Sequence, residues 1–208
     1  PPEVLSEVAD SPNYLRVRIP RAAINQKSVE NGAAIITSSK NPVIWAGGGV
    51  HLSEASNELL ALAEYLQIPI LTTPEGKGSI SDQHYLSIGT PQSRSTGNSK
   101  DPLRDFFYTR DVILAVGTRF AYANPKPYQQ VVQIDVDPKE IGRNHKKTFG
   151  ILGDARQVLS QLLEVIKIKT KPKQNQKIVF DKMRSNRYEN PANQVEPLAS
   201  YVKALRRG

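Results

Sequence analysis

From Pro42 to Lys167, short β-branched runs alternate with segments whose apolar residues recur at helical spacing, the pattern of a parallel sheet covered by helices. Pro42-Val-Ile-Trp-Ala46 predicts the first strand and ends in Gly47-Gly48-Gly49. Behind it Ala55, Leu59, Leu62, Ala63 and Leu66 fall on one helical face, with Ser53 placed to cap the helix. Ile68-Pro-Ile-Leu-Thr-Thr73 predicts the second strand, with Pro69 at its start where a missing N–H is tolerated. A crossover this short makes the two strands parallel neighbours.

Pro74 to Lys100 reads as one long polar connection containing Glu75-Gly76-Lys77-Gly78 and Gly89-Thr-Pro-Gln-Ser-Arg94, and loops of that length are usually functional or disordered. Asp101-Pro102 opens a helix with Leu103, Phe106 and Phe107 on its buried face, Asp101 capping and Pro102 at the first position. Asp111 to Gly117 predicts a fully buried strand and Gln130 to Asp135 another. A turn at Asp137 to Glu140, a short run at Phe149 to Leu152 and a helix from Asp154 to Ile166 follow. Ser28 to Ser38 supplies the first helix, preceded by an extended Tyr14-Leu-Arg-Val-Arg-Ile-Pro20. The expected fold is α/β: three-layer, a Rossmann-like parallel sheet with helices on both faces, over residues 28–168. Residues 1–27 read as a lead-in. Residues 169–208 read as a basic linker followed by a helix start at Pro197, Leu198, Val202 and Leu205, whose apolar face has nothing after it to pack against.

Charge changes this picture little. The net +8 lies entirely in residues 167–208, with 11 basic against 3 acidic residues, while residues 1–166 balance at 17 each. Lys167 to Lys177 alternates lysines with residues that leave little to bury and has no aromatics to stack on bases, so it reads as a solvated linker rather than a nucleic-acid arm. The absence of cysteine removes disulfides, thiolate nucleophiles and cysteine-ligated zinc. No apolar run approaches the roughly 18 residues of a membrane span, and Pro1-Pro2-Glu3-Val4 does not resemble a signal peptide, so the expected compartment is the cytoplasm.

The candidate chemistry lies in the turns after the strands. Gly47 to Gly49 leads toward a helix start, where exposed N–H groups favour an anion; the same glycines could equally serve only a tight turn. The spacing is not G-x-G-x-x-G, no acid ends the second strand, and Gly76-Lys77 lacks the rest of a P-loop. Five polar turns follow predicted strands: Gly47 to Gly49, Thr72-Thr73, Gly117-Thr118-Arg119, Asp135-Val136-Asp137 and Gly153-Asp154-Ala155. In an open parallel sheet they border one crevice. There Arg119 suits a phosphate and Asp135 a ribose, while Asp154 either caps its helix or also approaches an adenine. His51, His84 and His145 have no metal-ligand spacing, and no serine sits in a G-x-S-x-G elbow. No catalytic or metal-binding residue is assigned.

The ordered set Asn41 to Gly49, Leu60 to Glu64, Ile68 to Thr73, Gly76-Lys-Gly78, Ala115 to Arg119, Ile134 to Ile141 and Gly153 to Arg156 resembles the central domain of thiamine-diphosphate-dependent 2-oxoacid enzymes, closest to acetolactate synthase. Tyr14 to Arg21 resembles the exit from that family's pyrimidine-binding domain, and Asn190 to Gly208 the start of its diphosphate-binding domain. The resemblance implies that thiamine diphosphate and magnesium are held in those two domains, outside this chain, so the chain alone is expected to be inert. It implies a homo-oligomeric parent enzyme and a central crevice that takes FAD or ADP, or stays empty. The FAD-contacting turns map onto Gly48, Gly49, Thr73, Gly117, Arg119, Asp135 and Asp154. Phe120 is followed by Ala-Tyr-Ala-Asn-Pro125 where acetolactate synthases have an aspartate and an arginine, and Gly89 to Arg94 lacks their histidine. The alternative reading is a free-standing NAD- or adenine-nucleotide-binding regulatory module.

Overall fold

A computed structural model describes residues 23–91, 101–121 and 123–188. The expectations for Tyr14 to Arg21, for Arg94 and for Asn190 to Gly208 lie outside these residues. The elements are α1 (Gln26–Ser38), β1 (Val43–Ala46), α2 (Gly49–Leu52), α3 (Ser56–Leu66), β2 (Ile70–Thr72), β3 (Ser87–Gly89), α4 (Pro102–Tyr108), β4 (Val112–Val116), β5 (Gln130–Asp135), β6 (Thr148–Leu152), α5 (Ala155–Lys169) and α6 (Lys177–Tyr188). The six strands form one sheet in the order β3-β2-β1-β4-β5-β6, and every pair is parallel. This is the Rossmann-like architecture expected.

Register assigns the two faces. Ile44 pairs with Leu114, Leu114 with Val132, and Ile134 with Ile151, so these side chains share one side of the pleat. Gly32 of α1 lies against Ile151 and Val132 on that side, where α1, α3 and α5 pack together. Trp45, paired with Ala115, belongs to the opposite side. There its ring meets Phe107 of α4 at 4.8 Å between centroids, so α4 forms the third layer. β4 is buried along its whole length, as expected of a central parallel strand flanked on both faces. In α5, Val158, Leu159, Leu162 and Ile166 are fully buried, each contributing about 1.5–3 kcal/mol.

Asp101 and Asp154 cap α4 and α5 as expected, accepting from the amides of Leu103 and Gln157. Ser53 does not cap α3. The glycine turn runs directly into α2, and Ser53 closes that short helix by donating its hydroxyl to Gly49 O at 2.7 Å. α3 starts after Ala55 with no side-chain cap. The connection after β2 also contains the short edge strand β3, which has too few residues to show a period of its own.

The basic stretch is fastened rather than a free linker. Tyr65 donates its hydroxyl to Thr170 O at 2.6 Å, Lys173 N–H donates to Tyr65 O at 2.9 Å, and Gln176 N–H donates to Gln67 Oε1 at 3.0 Å. The lysine side chains remain exposed, so the backbone alone carries these contacts, which a charge pattern cannot reveal. α6 follows and buries Phe180.

The turns after β1 and β4 meet backbone to backbone. A Cβ on Gly47 would lie 2.4 Å from Gly117 O, and one on Gly49 would lie 2.6 Å from Gly117 Cα. These obstacles are main-chain atoms that cannot rotate away. Gly47→Ala is therefore expected to cost about 1–3 kcal/mol, lowering the urea midpoint with an unchanged slope. A midpoint equal to wild type would show that the turns do not touch.

Candidate functional site

The carboxyl ends of the strands open into a cavity of about 1160 Å³. Gly48, Gly49, Thr73, Gly117, Arg119, Asp135 and Asp154 all line it, so the five turns that are far apart in sequence do border one space. Their individual states differ. Gly49 N–H is taken by Gly117 O at 2.9 Å, and Gly47 N–H by Val116 O at 2.9 Å. The glycines therefore bring two chain segments together, and among the described residues the Gly48 amide has no such bond. Because α2 has four residues, it provides little of the dipole that a longer helix would aim at an anion. Thr73 N–H donates to Ala46 O at 2.8 Å, and its hydroxyl accepts from Gly76 N–H at 3.0 Å, which holds the turn after β2 against β1.

Arg119 is exposed on the cavity wall, and no ion pair or side-chain hydrogen bond engages its guanidinium among the described residues. Its backbone is fixed instead: Asn144 Nδ2 donates to Arg119 O at 2.7 Å. Asp154 is buried and caps α5, with Oδ1 accepting from Gln157 N–H at 3.2 Å.

Asp135 ends β5, and its Oδ1 accepts from Asp137 N–H at 3.0 Å. Asp137 lies beyond the strand and caps the next turn, accepting from Lys139 N–H at 2.9 Å. The two carboxylates are thus neighbours in one turn, with Asp137 outside the strand. Burial raises the Asp135 carboxyl above its ordinary value. The amides of Asp137 and Val136 pull it down, and the charges of Glu140 and Asp137 push it up again.

Sequence reasoning missed a second group on the wall. Glu140, Arg143 and Asn144 belong to the segment after β5, which covers the sheet through Gln133; the Gln133 side chain donates to Glu140 O at 3.1 Å and accepts from Gly142 N–H at 3.0 Å. Glu140 Oε1 pairs with Arg143 at 2.7 Å, whereas Oε2 is buried without a donor among the described residues. Trp45, Leu52 and Phe120 also line the cavity, which makes its wall amphipathic. Phe120 adopts a left-handed φ of 57°, held by its amide on Thr118 Oγ1 and by its ring edge-on to Trp45. Such conformations are costly for a non-glycine residue and cluster at ligand sites. A left-handed aromatic has no sequence signature. The sequence signals for Glu140 are its turn after a strand-ending aspartate and its place in the Ile134 to Ile141 segment, neither of which assigns it a contact.

An open parallel sheet with helices on both faces and a crevice at its carboxyl ends defines a Rossmann-like α/β domain. Residues 29–162 match the family "Thiamine pyrophosphate enzyme, central domain". The chain belongs to that family. It is 36% identical over 165 residues to the "Probable acetolactate synthase large subunit" of Methanocaldococcus jannaschii, covering 76% of this chain and 26% of that protein. The acetolactate synthase large subunit of Corynebacterium glutamicum is 34% identical over 167 residues, covering 76% and 25%. Among solved structures, benzoylformate decarboxylase from Polynucleobacter necessarius superposes with a TM-score of 0.60 at 20% identity, over 81% of this chain and 31% of that one, a likeness of fold. The chain spans about a quarter to a third of the length of these proteins. Nothing here supports a free-standing regulatory module. Among the described residues no helix is long and apolar enough to cross a membrane.

The raised Asp135 carboxyl sets a sign. Burial penalises its ionised form, so wild-type stability falls as pH rises through the raised value. Asp135→Asn, which keeps an acceptor for Asp137 N–H, is expected to be more stable than wild type at pH 7 and equal to it at acid pH, measured by urea midpoints. A variant less stable at pH 7 would contradict this reading.

Proposed function

We propose that this chain is the central, nucleotide-site domain of a thiamine-diphosphate-dependent enzyme acting on 2-oxoacids by acetolactate synthase-like carboligation or decarboxylation. Family membership and the names of the relatives support the enzyme class. In this reading thiamine diphosphate and magnesium are held by pyrimidine- and diphosphate-binding domains outside the chain, and the parent is a cytoplasmic homo-oligomer. The chain's own contribution is a scaffold whose crevice holds FAD or ADP.

The observation that carries the nucleotide reading is the convergence of five turns on one cavity. The wall fits such a ligand. Arg119 offers an unengaged guanidinium to a phosphate, and Gly48 offers an amide. Asp135 and the orphaned Glu140 Oε2 call for hydroxyl or amino donors. Asp154 stays with its helix cap, at the edge of the space. Trp45 and Phe120 offer apolar surface to a flat ring. When bound, the nucleotide's role here is structural: a ligand that binds only the folded state stabilises it by about 2.7 kcal/mol at one hundred times Kd.

Titration of FAD, ADP and coenzyme A against wild type, Arg119→Ala and Asp135→Ala tests this. Binding in the micromolar range or weaker is expected for an adenine nucleotide. Arg119→Ala should weaken it at least about tenfold, because a charge-assisted hydrogen bond contributes about 1.5–3 kcal/mol. Equal affinity in all three proteins, or no binding at millimolar ligand, would mean that the turns serve packing alone.

A further inference from the structure

At the amino ends of β4, β5 and β6, opposite the crevice, three cations rest on aromatic rings and carbonyls. The Arg110 guanidinium lies 4.1 Å from the Phe106 ring centroid, and its Nε–H donates to Phe106 O at 3.2 Å. The Lys126 ammonium lies 4.4 Å from the centroid of Tyr108. Lys147 Nζ donates to Tyr128 O at 3.1 Å, and the Tyr128 hydroxyl donates to Tyr108 O. Lys126, Tyr108, Tyr128 and Lys147 therefore form one connected surface, with Tyr128 59% exposed.

Among the described residues no ion pair within 4.0 Å engages any of the three cations; the Arg110 guanidinium also donates to Thr109 Oγ1 and feels the charge of Asp111. The neighbouring carboxylate, Asp111, is already occupied: its oxygens accept from the Ser39 hydroxyl and from the amides of Lys40, Asn41 and Val112. Burial pushes that carboxyl up, but these donors outweigh it and hold it below its ordinary value. Arg110 and Lys126 are already held on rings and Lys147 on a carbonyl, so they lose little side-chain freedom when a partner arrives. Phe106 and Tyr108 each have a ring face covered by this chain's own cation, which disfavours base stacking and with it single-stranded nucleic acid.

We propose that this end of the sheet docks an acidic segment of a partner protein, its carboxylates meeting Arg110, Lys126 and Lys147 and an apolar side chain resting on Tyr128. The site is separated from the crevice by the length of the strands, so it can be occupied whether or not the crevice is filled.

The probe is a fluorescently labelled decapeptide of glutamates with one central leucine, followed by anisotropy against the full chain at low salt. Lys126→Glu with Lys147→Glu should weaken binding at least about tenfold, and the milder pair Lys126→Gln with Lys147→Gln should act in the same direction. Lys171→Glu with Lys173→Glu makes the same change in net charge on exposed lysines of the basic stretch and should alter affinity by less than about twofold. Equal losses from both glutamate pairs would reduce the effect to bulk charge and overturn the proposal. So would an absence of wild-type binding, or a single-stranded RNA decamer that binds more tightly than the peptide and is lost in the Lys126/Lys147 variants.

Discussion

The structure depends on a close approach of main chain to main chain. The chain leaving β1 crosses the chain leaving β4, and at the crossing Gly47 and Gly49 lie against Gly117 with no room for a Cβ on either of the first two. Gly117 itself has a left-handed φ of 56°, which glycine adopts without strain. Gly76 extends the contact, since a Cβ there would lie 2.2 Å from Ala46 O. Three loops are thereby drawn to one end of the sheet before any ligand is considered, and the separation between β1 and β4 beyond their ladder is set by amide-to-carbonyl bonds.

Two consequences shape the crevice. Amides that could have met an anion are consumed in holding the loops together, so the polar character of the cavity comes mainly from side chains: Arg119, Asp135, Glu140, Arg143 and Asn144. The segment after β5 can then fold back over Gln133 and Gly150, where Ile141 occupies the space that a side chain on residue 150 would fill. The cavity lining thus combines polar side chains with the aromatic rings of Trp45 and Phe120. That mixture suits a ligand that carries both donor groups and a flat ring.

Much of this was legible in the residues. β5 spans Gln130–Asp135 and α5 follows Asp154 as their patterns imply, because a buried parallel strand and an amphipathic helix each impose a period on apolar residues. The membership of the crevice was legible for a topological reason, since turns after parallel strands must share one end of the sheet. What escaped were features without periodicity. β3 has three residues, Ser53 caps backward into α2, and the fastening of Thr170 to Gln176 runs through backbone groups and the side chains of Tyr65 and Gln67. By sequence, Gly47 to Gly49 suit either an anion cradle or a tight turn. Gly117 gives them a third use, close packing of two turns, which depends on which strands are neighbours.

Amide hydrogen exchange resolved at Gly47, Gly48 and Gly49 tests the crossing most directly, because it reads the hydrogen bonds themselves. Gly47 and Gly49 N–H should exchange as slowly as the amides of β1 and β4, with Gly48 N–H fast beside them. Rapid exchange at Gly49, matching Gly48, would contradict the crossing and return the glycine turn to an open loop.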